Sequence, residues 1–209
     1  LSPKQLTTAP LNYSLSLNGG KSFNIGNGTL KFFAVAAMNG DYYYKEGISR
    51  QTTTVGDYRQ DFKYKRYEYN VTQFALGNLT YEFGNNNSIA YNVIYIHDNK
   101  QSIAEYRGFS LNAVDDPTEP NAYDALVTRQ QTNNNGLLVN QLTSEFTLSD
   151  KMTLDVRGSF NTIRGDEPDR RQNWLIGDGN GENYVAVNSS PAFNHRFFST
   201  LKENEIAAN

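Results

Sequence analysis

The chain has 209 residues, which is room for one domain of ordinary size. Its 14 Tyr, 12 Phe and 1 Trp occur in a sequence of mean hydropathy −0.64, which suits many strands that each have one apolar and one polar face. The formal net charge is −3 with scattered basic residues, which argues against nucleic-acid binding. The absence of cysteine excludes disulfides, thiolate metal sites and cysteine nucleophiles.

Alternation of apolar and polar side chains predicts the first strands. Apolar residues occupy the odd positions of residues 11–17, and residues 30–38 are apolar on both faces. From residue 67 to 83 the odd positions carry no charge, whereas the even positions include Glu68 and Glu82. We therefore expect one strand face here that avoids charge and one that tolerates it.

The second half of the chain continues this pattern. Residues 89–96 are largely apolar, and residues 138–148 and 152–162 alternate. In the last of these, one face holds the row Met152, Leu154, Val156, Gly158 and Phe160. The tail at 193–206 is ambiguous, because Phe197 and Leu201 lie four residues apart and also suit a helix. About seven antiparallel strands are predicted in total.

The connections alternate in length. Short turn-like links are predicted at 19–29, 84–87 and 149–151, and long polar stretches lie between them at 39–66, 98–136 and 164–192. Barrels of the bacterial outer membrane have such short turns on one side and long loops on the other, with aromatic residues near both strand ends. No apolar run reaches the roughly 20 residues that a membrane helix needs. The sequence therefore predicts an all-β fold, an antiparallel up-and-down transmembrane β-barrel segment.

An odd strand number does not close a bacterial barrel, in which strand counts are even. The first residues lack a signal peptide, and the last lack a natural stop. We therefore expect residues 1–209 to be a fragment of one outer-membrane β-barrel domain, forming a curved open sheet, an incomplete barrel of about seven strands.

Four segments resemble barrel strands and loop entries of the large TonB-dependent receptors, of the type found in Bacteroidetes outer membranes. They are residues 9–20, 33–47, 166–173 and 195–205. This resemblance implies a nutrient importer in the outer membrane of a Gram-negative bacterium, not an enzyme. It further implies a barrel of about 22 strands, a plug domain in the same full-length chain and contact with the TonB complex through an N-terminal TonB box. Neither plug nor box is expected within residues 1–209.

Two groups of residues are candidates for contact with a ligand or a surface lipoprotein. In one predicted loop, arginines that pair with carboxylates lie near a tryptophan that stacks on sugars or cations. This group comprises Glu167, Asp169, Arg170, Arg171 and Trp174. The alternative is a loop held together by its own ion pairs. The second group, Tyr42, Tyr43 and Tyr44, lines an outer mouth or forms the top of an extended strand.

Other chemistry is weakly indicated. His97 and His195 are far apart in sequence, one expected at a strand end and one at a strand start, and no catalytic motif accompanies them. Residues 178–182 space oxygen ligands as calcium loops do, but lack the rest of such a loop. Asp115, Asp116 and Glu119 suit solvated loop charge. No cofactor is expected.

Three functions remain open. The first is the barrel segment of a TonB-dependent receptor that binds outer-membrane lipid and actively takes up a glycan, a peptide or a metal chelate. The second is a passive outer-membrane porin or adhesin-like barrel without a plug. The third is a soluble secreted carbohydrate-binding β-sandwich, in which the uncharged face would be buried between two sheets.

Overall fold

The computed structural model describes residues 11–84, 86–111, 124–177, 183–187 and 190–209. These residues form an all-β structure, which confirms the predicted fold class at this level. Within these residues there are five strands of 24 to 26 residues, two of 13 to 14 residues and one of 3 residues. In chain order the strands are β1 (Tyr13–Ile25), β2 (Gly28–Thr52), β3 (Tyr58–Phe83), β4 (Asn87–Ser110), β5 (Ala125–Ser149), β6 (Met152–Gly177), β7 (Tyr184–Ala186) and β8 (His195–Ala208).

The strands form one antiparallel sheet of up-and-down topology. Each strand from β1 to β6 pairs with the next, and both β7 and β8 pair with β6. Among the described residues β1 and β8 do not pair with each other, so the sheet is open, as expected. The ambiguous tail is a strand, since β8 pairs with β6 along its length. The second sheet that a sandwich needs is not found in the described part of the chain.

The two ends of the sheet differ in their connections. At one end, the turn end, β1 joins β2, β3 joins β4 and β5 joins β6 through short links. The first is the turn Gly26-Asn27, where Gly26 has a φ of 60°, a conformation that side chains disfavour. At the other end, the loop end, longer connections separate Thr52 from Tyr58 and Ser110 from Ala125. The predicted alternation of connection length is therefore confirmed.

The predicted boundaries of the long stretches and of the first short link are wrong. The long polar stretches at 39–66, 98–136 and 164–192 are mostly strand, because β2 to β6 continue through them. Both faces of β2 are polar after Tyr44, and in β3 the pattern is reversed, since Phe62 and Tyr64 share a face with Glu68. The cross-strand hydrogen bonds continue through both segments. The first short link is likewise narrower than 19–29, since β1 runs to Ile25.

Cross-strand pairing divides the side chains between two faces. The odd positions of β3 from Tyr67 to Phe83 face the same side as the even positions of β2 and β5 and the odd positions of β1 and β4. We call this the apolar face. The opposite face, which carries Glu68 and Glu82, is the polar face. All the buried hydrophobic residues of the strands except Leu126 lie on the polar face, so the core lies on that side.

A β-bulge in β6 changes which residues share a face. Asn134 of β5 pairs with Asp166, but Thr132 pairs with Asp169, so β6 contains one extra residue between these pairs. The same irregularity appears against β8 between Glu167 and Arg170. Before the bulge the even positions of β6 lie on the apolar face, and after it they lie on the polar face. Trp174 consequently lies on the polar face.

Candidate functional site

A charge-free belt crosses the apolar face near the turn end. On this face, across residues 13–25, 28–44, 67–83, 87–103, 138–148 and 152–162, Lys21 is the only Lys, Arg, Asp or Glu. The apolar side chains of the belt are exposed, Leu17 at 75%, Leu142 at 54% and Val156 at 48%. No second protein layer covers them among the described residues. The predicted row Met152, Leu154, Val156 and Phe160 is part of this exposed surface.

Aromatic residues border the belt on both sides. Toward the loop end, the Tyr42 and Tyr69 rings stack with their centroids 4.2 Å apart, and the Tyr44 and Tyr67 centroids lie 5.0 Å apart. Toward the turn end lie Phe23, Tyr81, Phe83, Tyr91 and Phe146. From Tyr69 to Tyr81 is 81 − 69 = 12 residues, or about 40 Å of strand. At a tilt of about 45° this spans roughly 28 Å, close to the apolar height of an outer-membrane barrel.

Charge resumes on the apolar face directly beyond the loop-end tyrosines. Glu46, Lys65 and Glu105 lie side by side on β2, β3 and β4. The Tyr44 hydroxyl donates a hydrogen bond of 2.6 Å to Glu46 Oε2, and this bond with a carboxylate raises the pKa of Tyr44 to about 12. The belt thus ends in a row of tyrosines whose hydroxyls reach toward charged groups, a typical arrangement at a boundary between apolar and aqueous surroundings.

The three consecutive tyrosines are divided between the faces. Tyr42 and Tyr44 belong to the aromatic border of the apolar face, where they stack on β3. Tyr43 lies on the polar face opposite Glu68, and the Lys45 ammonium is 5.7 Å from the centre of its ring. Of the three tyrosines, the structure therefore places only Tyr43 on the polar face.

The polar face has a charged network centred on Glu68. Its carboxylate lies 2.9 Å from Lys100 Nζ, 3.1 Å from Arg66 Nε and 3.7 Å from Lys45 Nζ. Glu68 is 6% exposed. Burial alone would raise the pKa of Glu68, but the hydrogen bond from Lys100 and the charges of the three cations together lower it below its usual value of 4.5. One buried carboxylate is thus shared by three basic side chains.

Closer to the turn end the polar face carries charged side chains of both signs, most of them acidic. Lys31 Nζ lies 2.6 Å from Glu82 Oε1, and Asn78 donates a 2.6 Å hydrogen bond to Asn92. Glu145 and Asp155 face each other across β5 and β6. A row of smaller apolar residues separates this region from the Glu68 network. The row consists of Val35, Leu76, Ile94 and Val139.

The predicted loop group lies in strand β6, not in a loop, and the bulge splits it between the two faces. Asp169 and Arg171 are on the apolar face, where Asp169 also pairs with Arg196 at 2.8 Å. The hydrogen bond from Arg171 is the main cause of the lowered pKa of Asp169. Arg170 is on the polar face, 3.7 Å from Glu167 and over the Phe197 ring.

Trp174 is buried, at 9% exposure, in an aromatic cluster at the loop end of the polar face. Its ring centroid lies 6.0 Å from that of Phe62 and 5.0 Å from that of Phe193. The segment after β7 packs over it, since Val187 N–H donates to Trp174 C=O and Trp174 N–H donates to Asn194 Oδ1. In this structure Trp174 joins strands and loop rather than presenting a free ring to a ligand.

The remaining candidates are not gathered into a site. His97 lies inside β4 rather than at its end, and its Nε2 is 2.7 Å from Asn134 Oδ1. His195 begins β8, as expected. The acidic positions 115, 116 and 119 and the possible calcium loop at 178–182 lie outside the described residues. Within the described residues, no group of three or more His, Asp or Glu could hold a metal ion.

The sequence did not predict the Glu68 network. Arg66 and Glu68 are two residues apart in a strand and therefore share a face, which alternation could reveal. Lys45 and Lys100 join them only through the pairing of β2 and β4 with β3. That register is not readable from the separate segments.

No model of a known protein family matches the chain, and no curated protein matches it. Among the described residues, no helix is long and apolar enough to span a membrane. The structure confirms an open antiparallel sheet of long strands, and the resemblance to TonB-dependent receptors remains a prediction.

Proposed function

We propose that this chain is a barrel segment of a TonB-dependent receptor in the outer membrane of a Gram-negative bacterium. The observation that carries the proposal is the exposed belt, free of charge except for Lys21, with aromatic residues on both borders. A contiguous apolar surface of this extent is unusual on a soluble monomer. In a membrane this apolar surface contacts lipid tails instead of water. Further strands that pair with the two edges of the sheet close the barrel and satisfy the remaining backbone N–H and C=O groups.

In this arrangement the apolar face contacts outer-membrane lipid and the polar face lines a lumen. The strands extend beyond the belt at the loop end, which lies outside the cell, and the short turns lie in the periplasm. The resemblance supports active uptake of a glycan, a peptide or a metal chelate. Its partners would be a plug domain of the same full-length chain, the TonB complex and a surface lipoprotein.

Bromolipid quenching tests the membrane part of the proposal. The complete protein that carries this chain is reconstituted in brominated phospholipid vesicles with Trp174→Phe as background. A tryptophan placed by Leu142→Trp, on the apolar face, should be strongly quenched. The adjacent Thr143→Trp, on the polar face, is the matched control and should be quenched little. Equal quenching at both positions would rule out the proposed orientation.

Uptake measurements test the transport part. Cells that express the complete protein are supplied with radiolabelled maltohexaose, a peptide mixture and a ferric chelate, with and without an uncoupler of the inner-membrane proton gradient. An energised receptor accumulates one of these solutes, and the uncoupler abolishes accumulation. Uptake that the uncoupler leaves unchanged would instead identify a passive porin.

A further inference from the structure

Three cations lie in one row across the polar face, just beyond the belt. Lys45, Arg66 and Arg129 occupy paired positions on β2, β3 and β5, with Ala104 of β4 between the two arginines. Arg66 and Arg129 are thus two strand spacings apart, about 10 Å between Cα atoms. Ala104 contributes only a methyl group, so the longer side chains of Arg66 and Arg129 can converge on a common ligand above it.

Arg129 is held in place without being neutralised. Its Nε donates to Gln172 Oε1 at 2.9 Å, and its Nη2 donates to the same oxygen. Gln172 is 6% exposed, and its own Nε2 donates to the carbonyls of Ala192 and Phe193. A buried neutral amide therefore orients the guanidinium while leaving its charge intact. Arg129 has no carboxylate partner among the residues that the structure describes.

The surroundings of the row are asymmetric. On the turn-end side lies Glu68, which is already shared by Lys45, Arg66 and Lys100. On the loop-end side the next row carries no charge and consists of Gly47, Tyr64, Tyr106, Val127 and Trp174. The Tyr64 and Tyr106 rings lie 5.7 Å apart. Cations thus adjoin an aromatic wall that suits a sugar ring or another flat group.

We infer that this part of the polar face binds an anionic solute, with its carboxylate, sulfate or phosphate between Arg66 and Arg129 and its ring against Tyr64 and Tyr106. Planar guanidinium groups recognise such oxyanions through paired hydrogen bonds. The inference rests on the proposed function, because a lumen is needed for the solute to reach this face. It narrows the transported solutes to those that carry negative charge.

Calorimetric binding to the complete protein in detergent micelles tests the ligand class. The probes are a galacturonate hexamer, which combines carboxylates with sugar rings, citrate, which has carboxylates only, and neutral maltohexaose. We expect the galacturonate hexamer to bind most tightly, citrate less tightly and maltohexaose least. An increase from 50 to 500 mM NaCl should weaken hexamer binding by about tenfold, because exposed charges are screened. Equal binding of the hexamer and maltohexaose would overturn the inference.

Matched variants locate the site. Arg129→Gln should weaken binding of the galacturonate hexamer by about tenfold, and Arg129→Lys should weaken it less because the charge remains. Lys65→Gln removes the same charge from the residue next to Arg66, but on the apolar face, and should change binding less than about twofold. If Arg129→Gln does not insert into membranes, Arg66→Gln is measured in its place with the same expectation.

The quenching experiment separates the two proposals. If Leu142→Trp is quenched and Thr143→Trp is not, but Arg129→Gln weakens hexamer binding no more than Lys65→Gln does, the anion site is refuted and the barrel proposal stands. Protein whose Leu142→Trp and Thr143→Trp variants are quenched equally refutes the barrel itself, whatever it binds.

Discussion

On strand β3 the apolar face presents Leu79 and Tyr67 to the surroundings, 44% and 50% exposed, whereas on the polar face Phe62 and Glu68 are 3% and 6% exposed. Hydrophobic residues are thus exposed on one face while a carboxylate is buried on the other. This contrast in exposure indicates that the two faces are adapted to different surroundings. The apolar face excludes charged side chains from nearly all of the belt. On the polar face the buried carboxylate of Glu68 forms ion pairs with other side chains.

Two adjacent residues of β3 show the same difference between the faces. Lys65 lies on the apolar face beyond the belt, between Glu46 and Glu105, whereas Arg66 lies on the polar face near Glu68. Substitutions at paired positions on the two faces should therefore differ sharply in their effect. The free energies of unfolding below refer to the complete protein in phospholipid vesicles.

The largest effect is expected for the packed cluster of the polar face. Trp174→Ala should lower the free energy of unfolding by about 3–5 kcal/mol, because it removes a buried ring between Phe62 and Phe193. Phe198→Ala, at a residue 74% exposed, is the control and should change it by less than about 0.5 kcal/mol. Urea unfolding followed by circular dichroism measures both. Equal effects would contradict the assignment of the core to the polar face.

A charge placed in the belt should have the next largest effect. Leu138→Arg, at mid-belt on the apolar face, should cost about 2–4 kcal/mol, because a guanidinium would enter hydrocarbon. Gln141→Arg lies on the polar face of the same strand and should cost less than about 1 kcal/mol. Urea titration in vesicles gives both values. A smaller cost for Leu138→Arg than for Gln141→Arg would reverse the proposed roles of the faces.

Glu68→Gln should lower the free energy of unfolding by about 1–2 kcal/mol at pH 7, less than for a fully buried pair because the three cations are partly exposed. The effect depends on pH. Since the pKa of Glu68 is lower in the folded state than its usual 4.5, its contribution is complete above about pH 4.5 and is lost as the pH falls through the folded value.

The difference in unfolding free energy between wild type and Glu68→Gln should therefore shrink on acidification from pH 7 to pH 3. Glu105→Gln, on the apolar face at the loop end, is the control, because the Glu105 side chain is 41% exposed and its pair with Arg107 is open to solvent. A Glu68 difference that grows on acidification would show that the carboxylate is not stabilised in its charged form.

The smallest effect is expected for Lys31 and Glu82, whose side chains are 47% and 46% exposed despite a separation of 2.6 Å. A double-mutant cycle with Lys31→Ala and Glu82→Ala should give a coupling energy of about 0.2–1 kcal/mol that decreases in high salt. A coupling well above about 2 kcal/mol would mean that this part of the polar face is dry, contrary to a water-filled lumen.

Alternation predicted the strands where the two faces differ most. Residues 67–83, 138–148 and 152–162 are strands, and the turns after Phe83 and Ser149 lie where turn residues indicated. The prediction failed beyond the belt because the pattern changes there although pairing continues. Both faces of β2 are polar after Tyr44, and in β3 Phe62 and Tyr64 lie on the polar face. The membrane placement itself remains a prediction.

The candidate site was less predictable than the fold. Alternation separates Arg171 from Arg170 and Trp174, and Pro168 is compatible with a bulge. Only the pairing with β5 and β8 shows that β6 contains an extra residue there, which decides the face that each side chain occupies. The Glu68 network depends on contacts between β2, β3 and β4, so its members are recognisable only after the strands are aligned. The pairing register between strands therefore determines both the faces of these β6 residues and the members of the Glu68 network.

The bulge in β6 also determines which side chains in the loop-end half of that strand lie on each face. Because Pro168 has no backbone N–H, it fits a position where the ladder of hydrogen bonds is interrupted. If β6 paired regularly with β5 while keeping the extra residue, everything that follows in β6 would shift by one position and reverse its orientation. Trp174 would then lie on the apolar face and Arg171 on the polar face, whereas loss of the extra residue would leave Trp174 opposite Val127.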